Sequence, residues 1–449
     1  MKKTFSIFVI LLFLCPLVFG DGMIHIYDMD MWRLGSEDQQ LVAINHQDGF
    51  ENMLISVDIG DDVEGEKAVW IFPVPSAPDQ VEIDILKGYP NFRGKDIDSQ
   101  FNDVVGGVAI GMVAYSTFPL PFFMFPLAYF GVMNAGRFMK TDGIMLHQKI
   151  EKMGLTTELI TTKDAGSLGQ YLHDKGLDMP EESVQILEGY IGKDYSFVVS
   201  YINDLARFKQ ERQTDDDYRY GREGGIPIGV FVRFPTEKIY FPLKPTSVYG
   251  SKEIPILIYV IGHVTPKLYP EIKDKTEMTY FELARYRPES HMQPFFNGKT
   301  EMDDLKYTKI KINAPSERFK EDLWIKDRAP ILVSIKSFLA SIFWLWGIIM
   351  FVIISMVSSL LAGIVSFRKD PLPRKKLMLH GLWNCLTFIG LFVATILINT
   401  RKIDPRLQEQ LESQGLKVSD TRKVVYTILF YVFFIGLVVA FSLLSIFIF

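Results

Sequence analysis

The chain has 449 residues, of which 48% are hydrophobic, and a formal net charge of -5. Residues 331–449 hold twelve cations and five acids, and residues 1–20 add two cations, so residues 21–330 carry a net charge of about -14. Such acidity argues against nucleic acid and anionic lipid head groups as partners of residues 21–330. Both cysteines, Cys15 and Cys385, lie outside residues 21–330. This part of the chain therefore has no cysteine for a disulfide or for a thiolate-bound metal.

The N-terminus has the three parts of a secretory signal peptide. Two lysines open an apolar run that ends near Leu14, and small residues follow near Gly20. We therefore predict that residues 1–20 are a signal peptide and that residues 21–330 form an extracytoplasmic domain. An uncleaved signal anchor is the alternative, and it leaves the same domain outside.

From Met53 the chain reads MLISVDIGDDVEGEKAVWIFPVPSAPDQVEIDI. Two apolar, β-branched runs flank an acidic connection that contains glycine, which predicts a β-hairpin, and a third strand-like run follows the prolines. Carboxylate oxygens at this density can hold Ca²⁺. Asp58, Asp61 and Asp62 are therefore a candidate calcium site, with a solvated turn as the alternative, and no other cofactor is predicted.

The aromatic and proline residues of this stretch have two interpretations. In the first, they form a rigid ridge that receives a ligand. In the second, they pack at the edge of the core, because a proline after a strand usually ends that strand. The residues concerned are Trp70, Pro73, Pro75 and Pro78.

The segment from Val104 to Met133 is uncharged, apolar and interrupted by three prolines. It is too short for two helices of about 20 residues each, which a hairpin through the whole bilayer needs. We therefore predict a membrane-associated hairpin or insertion on the outer leaflet. The alternatives are burial against the protein's own membrane helices, and ordinary core or a true span.

The remaining residues before position 330 mix helical and strand-like patterns. Two helices are predicted around Gly166–Lys175 and Glu181–Tyr190. Strands are predicted at Ser196–Ile202, Gly229–Phe234, Ile254–Ile261 and Tyr307–Ile312. The fold class is therefore α+β, a strand-dominated extracytoplasmic domain with a small helical insertion, followed by three transmembrane helices.

Three ordered motifs carry a family resemblance: AVWIFPVPSAPDQV, LGQYLHDKGLDMPEESVQILEGYIGKDYSFVVSYI and IPIGVFVRFPTEKIYFPL. Together they resemble an uncharacterised exported family, domain of unknown function 2330. The match covers roughly Ile44 to Gly262. The resemblance implies export and a similar layout, and it offers no reaction and no catalytic residues. Family members often carry a Gly- or Cys-rich insert where this chain has its apolar segment.

The residues of the second and third motifs that match the family are dispersed over both. They are Leu168, Tyr171, Leu172, Gly176, Pro180, Leu187, Tyr190, Phe197, Val198, Phe231, Phe234, Pro235, Tyr240, Pro242 and Leu243.

The C-terminal part holds three apolar segments, each long enough to cross about 30 Å of hydrocarbon as a helix. They are 331–367, 377–398 and 424–449. The loop 368–376 is strongly basic, which places it in the cytoplasm. The predicted layout is a multi-pass cell-membrane protein with residues 21–330 outside and an external loop at 399–423.

The second of these segments contains polar residues that fall on one helix face. His380, Asn384 and Thr387 are spaced at i, i+4 and i+7, and intramembrane polar residues indicate function or helix packing. A stripe of small residues on the first segment, at Ser355, Ser359 and Gly363, is the surface expected to receive them.

The sequence holds no P-loop, nucleophile elbow or zinc-protease helix, and its seven histidines show no metal-ligand spacing. The prediction is a membrane-anchored extracytoplasmic binding or scaffolding protein of unknown ligand, whose partners are the membrane and other membrane subunits. The alternatives are an extracellular carboxylate- or Ca-dependent hydrolase and a subunit of a larger membrane complex.

Overall fold

The protein is described here through a computed structural model, and the chain folds into two compact units. The β unit comprises residues 1–96 and 136–330, and the helical unit comprises 97–135 and 331–449. The structure describes the following residues: 23–28, 31–34, 40–57, 67–90, 92–117, 149–162, 164–174, 181–208, 228–368, 372–397, 409–410, 413–414 and 421–448.

The β unit is built mainly of strands. In chain order they are β1 Met23–Asp28, β2 Met31–Leu34, β3 Gln40–Gln47, β4 Phe50–Val57, β5 Lys67–Val74, β6 Glu82–Lys87, β7 Lys95–Asp96, β8 Lys149–Lys152, β9 Leu155–Ile160, β10 Ser196–Ile202, β11 Ile228–Pro235, β12 Ile239–Phe241, β13 Ile256–Ile261, β14 Thr265–Pro266, β15 Thr276–Tyr286, β16 Met302–Ile312 and β17 Leu323–Lys326.

The helices lie in both units. In chain order they are α1 Ile97–Thr117, α2 Ala165–Asp174, α3 Glu181–Glu188, α4 Pro270–Lys273, α5 Ile331–Ser341, α6 Phe343–Ser366, α7 Arg374–Gly381, α8 Thr387–Leu397 and α9 Thr421–Ile448.

The strands form three sheets. A six-stranded sheet has the order β2-β1-β5-β10-β9-β8, an eight-stranded sheet has the order β6-β11-β4-β3-β13-β16-β15-β7, and β12, β17 and β14 form the third. Trp70 and Val198 of the six-stranded sheet share one apolar core with Ile55 and Val232 of the eight-stranded sheet. The two large sheets therefore pack face to face as a β-sandwich.

The hairpin predicted around the acidic connection is wrong. Its two strands, β4 and β5, lie in different sheets, because β3 and β11 occupy both edges of β4. The hairpin that does form joins β3 to β4 through Asp48 and Gly49, whose φ angles are 55° and 78°. Positive φ at both positions fits the two-residue turn that Asp-Gly favours. This Asp-Gly pair is the sequence signal for the true hairpin.

The predicted helical insertion is present and covers one sheet. Leu168 of α2 and Leu187 of α3 pack against Val69 and Ile71 of β5 and against Phe197 of β10. β5 and β10 are thereby buried on both faces, which explains why both are almost continuous apolar runs. The strands predicted in the later part of the β unit are also present, with ends that differ by a few residues.

The helical unit contains three helical segments that are long and apolar enough to span a membrane. They are Phe343–Ser366, Arg374–Leu397 and Arg422–Ser445, and they overlap the three predicted segments, the first of which also contains α5. Val108, Met112 and Tyr115 of α1 pack against Phe351 of α6 and Phe430 of α9 in one apolar cluster. The described part of the uncharged segment therefore lies against the protein's own apolar helices.

Candidate functional site

The candidate calcium ligands Asp58, Asp61 and Asp62 lie outside the described residues. The calcium interpretation therefore stays a prediction. Within the described ranges, no three histidine, cysteine, aspartate or glutamate side chains come together as potential metal ligands.

The interpretation of Trp70 as part of a ligand-binding ridge is wrong. The Trp70 side chain is buried in the core between the two large sheets, where it contributes to packing. Pro73 is a residue of β5 opposite Phe197 of β10, and not a surface projection. An aromatic residue in a strand that is covered on both faces has no surface left for a ligand, so the packing alternative holds for Trp70.

Two histidines of the β unit make interactions that stabilise the fold. Nε2 of His46 lies 2.9 Å from the Thr236 carbonyl oxygen, and Nε2 of His263 lies 3.1 Å from the Phe281 carbonyl oxygen. Burial lowers the pKa of His263, so its neutral form donates this hydrogen bond near neutral pH. Both contacts join a histidine ring to a backbone carbonyl of a residue distant in sequence.

The second apolar segment is not one continuous α-helix, so the prediction of a single polar face is wrong. The segment α7 ends at Gly381, a tighter 3-10 turn follows over Leu382–Leu386, and α8 begins at Thr387. Thr387 has φ 63° and ψ -170°, values that are strained for any residue other than glycine. We call residues 382–387 the helix break.

Four polar side chains lie in or next to the helix break. We call them the polar node: Tyr115, Ser116, Ser355 and Asn384. The Asn384 amide nitrogen donates to the Ser355 hydroxyl at 3.0 Å, and its oxygen accepts from the Ser116 hydroxyl at 3.0 Å. The Tyr115 hydroxyl donates to the Cys385 carbonyl at 2.6 Å. Helix α1 therefore supplies hydrogen bonds to backbone and side-chain groups at the break, as an apolar surrounding requires.

The predicted stripe of small residues on α6 is confirmed as the surface that receives the second segment. The Ser359 hydroxyl contacts the Leu377 carbonyl and lies 2.6 Å from the Tyr426 hydroxyl. A Cβ atom added at Gly381 would lie 2.4 Å from the Ser355 carbonyl oxygen. The backbones of α6 and α7 therefore approach so closely that only glycine fits at position 381.

The β unit contains a partly buried carboxylate, Asp322, that accepts hydrogen bonds from residues in or next to the second and third motifs. Asp322 accepts hydrogen bonds from the Tyr190 hydroxyl at 2.8 Å, the Tyr240 hydroxyl at 3.0 Å and the Lys244 backbone N–H at 3.0 Å. Burial raises the pKa of Asp322, although these hydrogen bonds oppose the increase. The sequence places Asp322 far outside the motifs, so it gives no signal for this cluster.

A cleft of about 510 Å³ lies beside the edge strand β6. Its lining combines apolar, charged and polar residues: Asp84, Ile85, Leu86, Lys87, Lys152, Met153, Ser290, His291 and Pro294. Lys152 pairs with Asp84, whose carboxylate also accepts the Ile85 N–H at 2.7 Å. Apolar side chains and charged groups therefore line the same open cleft.

No known family model matches the chain, and no curated protein sequence matches it. Among solved structures, the crystal structure of baculovirus P35 is similar at 10% identity and a TM-score of 0.27, over 66% of this chain and 98% of that chain. A mutated baculovirus P35 after caspase cleavage is similar at 9% identity and a TM-score of 0.26, over 65% of this chain and 100% of that chain. Similarities this weak carry no argument about fold or function.

Proposed function

We propose that the chain is a multi-pass cell-membrane protein whose residues 21–330 form an extracytoplasmic binding or scaffolding domain. One observation carries the proposal. The chain passes between the β unit and the helical unit three times: at 96–97, between Thr117 and Lys149, and at 330–331. A domain connected three times to a set of apolar helices is an integral part of a membrane protein and not a tethered passenger.

The packing of α1 supports the same proposal. Its residues Val108 and Met112 lie in the apolar cluster of the helical unit, and Ser116 donates to Asn384 in the helix break. Apolar packing supplies affinity without direction, whereas hydrogen bonds between buried groups require one register. The inserted helix is thereby held in one register among the apolar helices.

The resemblance to domain of unknown function 2330 is part of this proposal. The first motif contributes β5 and the second contributes β10, and these strands are paired antiparallel from Ala68–Ile202 to Val74–Ser196. The third motif contributes β11 and β12, with Tyr240 bound to Asp322. Motifs that pack together in one unit support one shared domain.

Labelling of single cysteines tests the membrane layout. In a full-length chain with Cys15 and Cys385 changed to serine, an impermeant maleimide added to intact cells should modify Lys252→Cys. It should modify Lys375→Cys, in the basic loop, only after lysis. Labelling of Lys375→Cys alone in intact cells would overturn the proposed layout.

Native mass spectrometry of the purified full-length chain tests the binding function at the cleft. Ser290→Trp fills the cleft, and Ser251→Trp places the same side chain on another exposed loop. We expect a bound small molecule to remain with the wild type and with Ser251→Trp and to be lost from Ser290→Trp. A bound molecule that is retained in all three proteins would show that the cleft is not its site.

A further inference from the structure

Helix α5 exposes a stripe of large apolar side chains. Its exposed residues follow an i, i+1, i+4 and i+7 spacing and are between 39% and 71% exposed: Ile331, Leu332, Ile335 and Phe338. This spacing places them on one face of the helix. A contiguous aliphatic and aromatic stripe of this kind marks contact with lipid or with a partner.

The one charged residue of α5 lies on the buried side of the helix. Lys336 is buried, and its ammonium group lies 2.6 Å from a carboxylate oxygen of Asp98 in α1. Helices that bind anionic lipid heads carry exposed lysine and arginine on their polar face. With Lys336 neutralised by Asp98, α5 instead presents an uncharged surface, which fits hydrocarbon and not a charged protein partner.

The position of α5 along the chain indicates where this surface lies. The following helix α6 has 24 residues, about 36 Å at 1.5 Å per residue, which already spans a hydrocarbon core of about 30 Å. A single residue, Ile342, separates the two helices. The helix α5 therefore lies beyond the core, at the level where the chain enters the bilayer.

Two tryptophans mark the same level. Trp344 is exposed near the start of α6, and the Trp346 indole N–H donates to the Leu339 carbonyl of α5 at 2.7 Å. Tryptophan is enriched at membrane–water interfaces, where its ring is apolar and its N–H finds a polar partner. The Trp346 hydrogen bond also satisfies a carbonyl of α5 close to the interruption at Ile342.

We propose that α5 is an interfacial helix that lies on the membrane surface, with its apolar stripe in the boundary between lipid head groups and acyl chains. Its partner is the uncharged part of a lipid surface. The Lys336–Asp98 ion pair holds the buried side of α5 against α1 and so leaves the stripe exposed. This inference rests on the proposed membrane location of the helical unit.

Depth-dependent fluorescence quenching tests the proposal. The full-length chain, with Cys15 and Cys385 changed to serine, is reconstituted into phosphatidylcholine nanodiscs that carry a spin label near the head group or deep in the acyl chain. A fluorophore is attached at Ile335→Cys in the stripe, or at Ser337→Cys on the opposite side of α5 as the matched control. A third probe at Ile353→Cys, on the exposed surface of α6, reports whether this helix spans the bilayer.

We expect loss of fluorescence at position 335 with the shallow spin label, little loss at position 337, and loss at position 353 with the deep label. Loss at 353 without loss at 335 would overturn the interfacial helix and leave the membrane location intact. Failure at 353 would overturn the membrane location itself. A probe at 335 that is shielded from both lipid quenchers and aqueous iodide would show that a protein covers the stripe, and would also overturn the proposal.

Discussion

At the scale of single residues, the β unit retains a buried acid that has few partners. Glu51 is fully buried, and one carboxylate oxygen accepts the Tyr240 N–H at 2.7 Å. The other carboxylate oxygen has no hydrogen-bond partner among the described residues. Burial raises the pKa of Glu51 well above its usual range, although the Tyr240 hydrogen bond opposes the increase. The folded chain therefore favours the uncharged acid.

This acid predicts a pH dependence of stability. Since the pKa of Glu51 is raised by folding, its contribution is fully present below the pKa of the unfolded chain and is lost as pH rises through the folded pKa. Glu51→Gln should remove this loss, so the variant should melt at a higher temperature than the wild type at neutral and alkaline pH. The melting temperature of the β-sheet circular dichroism signal, measured from pH 5 to pH 9 in detergent, reports the effect.

The control for this prediction is Glu237→Gln, because Glu237 is exposed in a turn of the same unit. We expect its pH profile to follow the wild type. A Glu51→Gln profile with the wild-type slope would show that Glu51 is ionised in the folded chain.

At the scale of secondary-structure elements, the edge strand β6 and the helix break show how side chains determine what a strand or a helix contacts. The edge strand β6 is protected because Asp84 accepts the Ile85 N–H and pairs with Lys152. Charged groups at an unpaired edge prevent strand addition by other chains. In the helical unit, polar groups at the helix break are instead paired with another element, because Tyr115 and Ser116 of α1 donate hydrogen bonds to them.

The close contact of α7 with α6 predicts a position-specific effect of adding one methyl group. Gly381→Ala places a Cβ atom 2.4 Å from the Ser355 carbonyl oxygen, so the helices must move apart, at a cost of about 1–3 kcal/mol. Gly436→Ala, on α9, meets no heavy atom within 4 Å and should be neutral. Unfolding of both variants in mixed detergent micelles by sodium dodecyl sulfate provides the comparison, and equal stabilities would refute the contact.

The polar node predicts a second loss of stability. Asn384→Ala removes the hydrogen bonds to Ser116 and Ser355, which should cost about 1–2 kcal/mol in the same assay. Ser358→Ala is the matched control, because the Ser358 hydroxyl donates at 2.7 Å to the Ile354 carbonyl of its own helix. If both variants lose the same stability, the node does not join the helices.

At the scale of the whole molecule, the three chain passages between the units determine what can be removed without loss of solubility. A chain that ends at Pro330 keeps α1 and loses the helices that cover Val108, Met112 and Tyr115. Burying several such side chains contributes roughly 1.5–3 kcal/mol each, so their exposure favours membrane or detergent.

Truncation tests this expectation directly. The chain ending at Pro330 should bind neutral liposomes or require detergent, whereas the same chain with residues 97–135 replaced by a short Gly-Ser linker should be soluble and folded. Size-exclusion chromatography and liposome flotation measure both. A truncated chain that is monodisperse without detergent and ignores liposomes would contradict the prediction.

Local patterns in the sequence determined the strand-rich α+β class, the positions of the later strands, the two small helices and the three apolar segments. Period and length alone carry this information, because a run of about 20 apolar residues or an alternating run of six needs no knowledge of its neighbours. The Asp-Gly turn at Asp48 and Gly49 is of the same local kind.

Tertiary structure alone decided which of these elements meet. The strands β4 and β5 separate because both edges of β4 are occupied by β3 and β11, and strand pairing depends on edges that lie far apart in sequence. At the break in the second apolar segment, α1, some 270 residues earlier, supplies the Tyr115 hydroxyl to the Cys385 carbonyl and the Ser116 hydroxyl to the Asn384 side chain. A local pattern cannot contain such a partner, since the energy that favours the break comes from a hydrogen bond made only after the chain has folded.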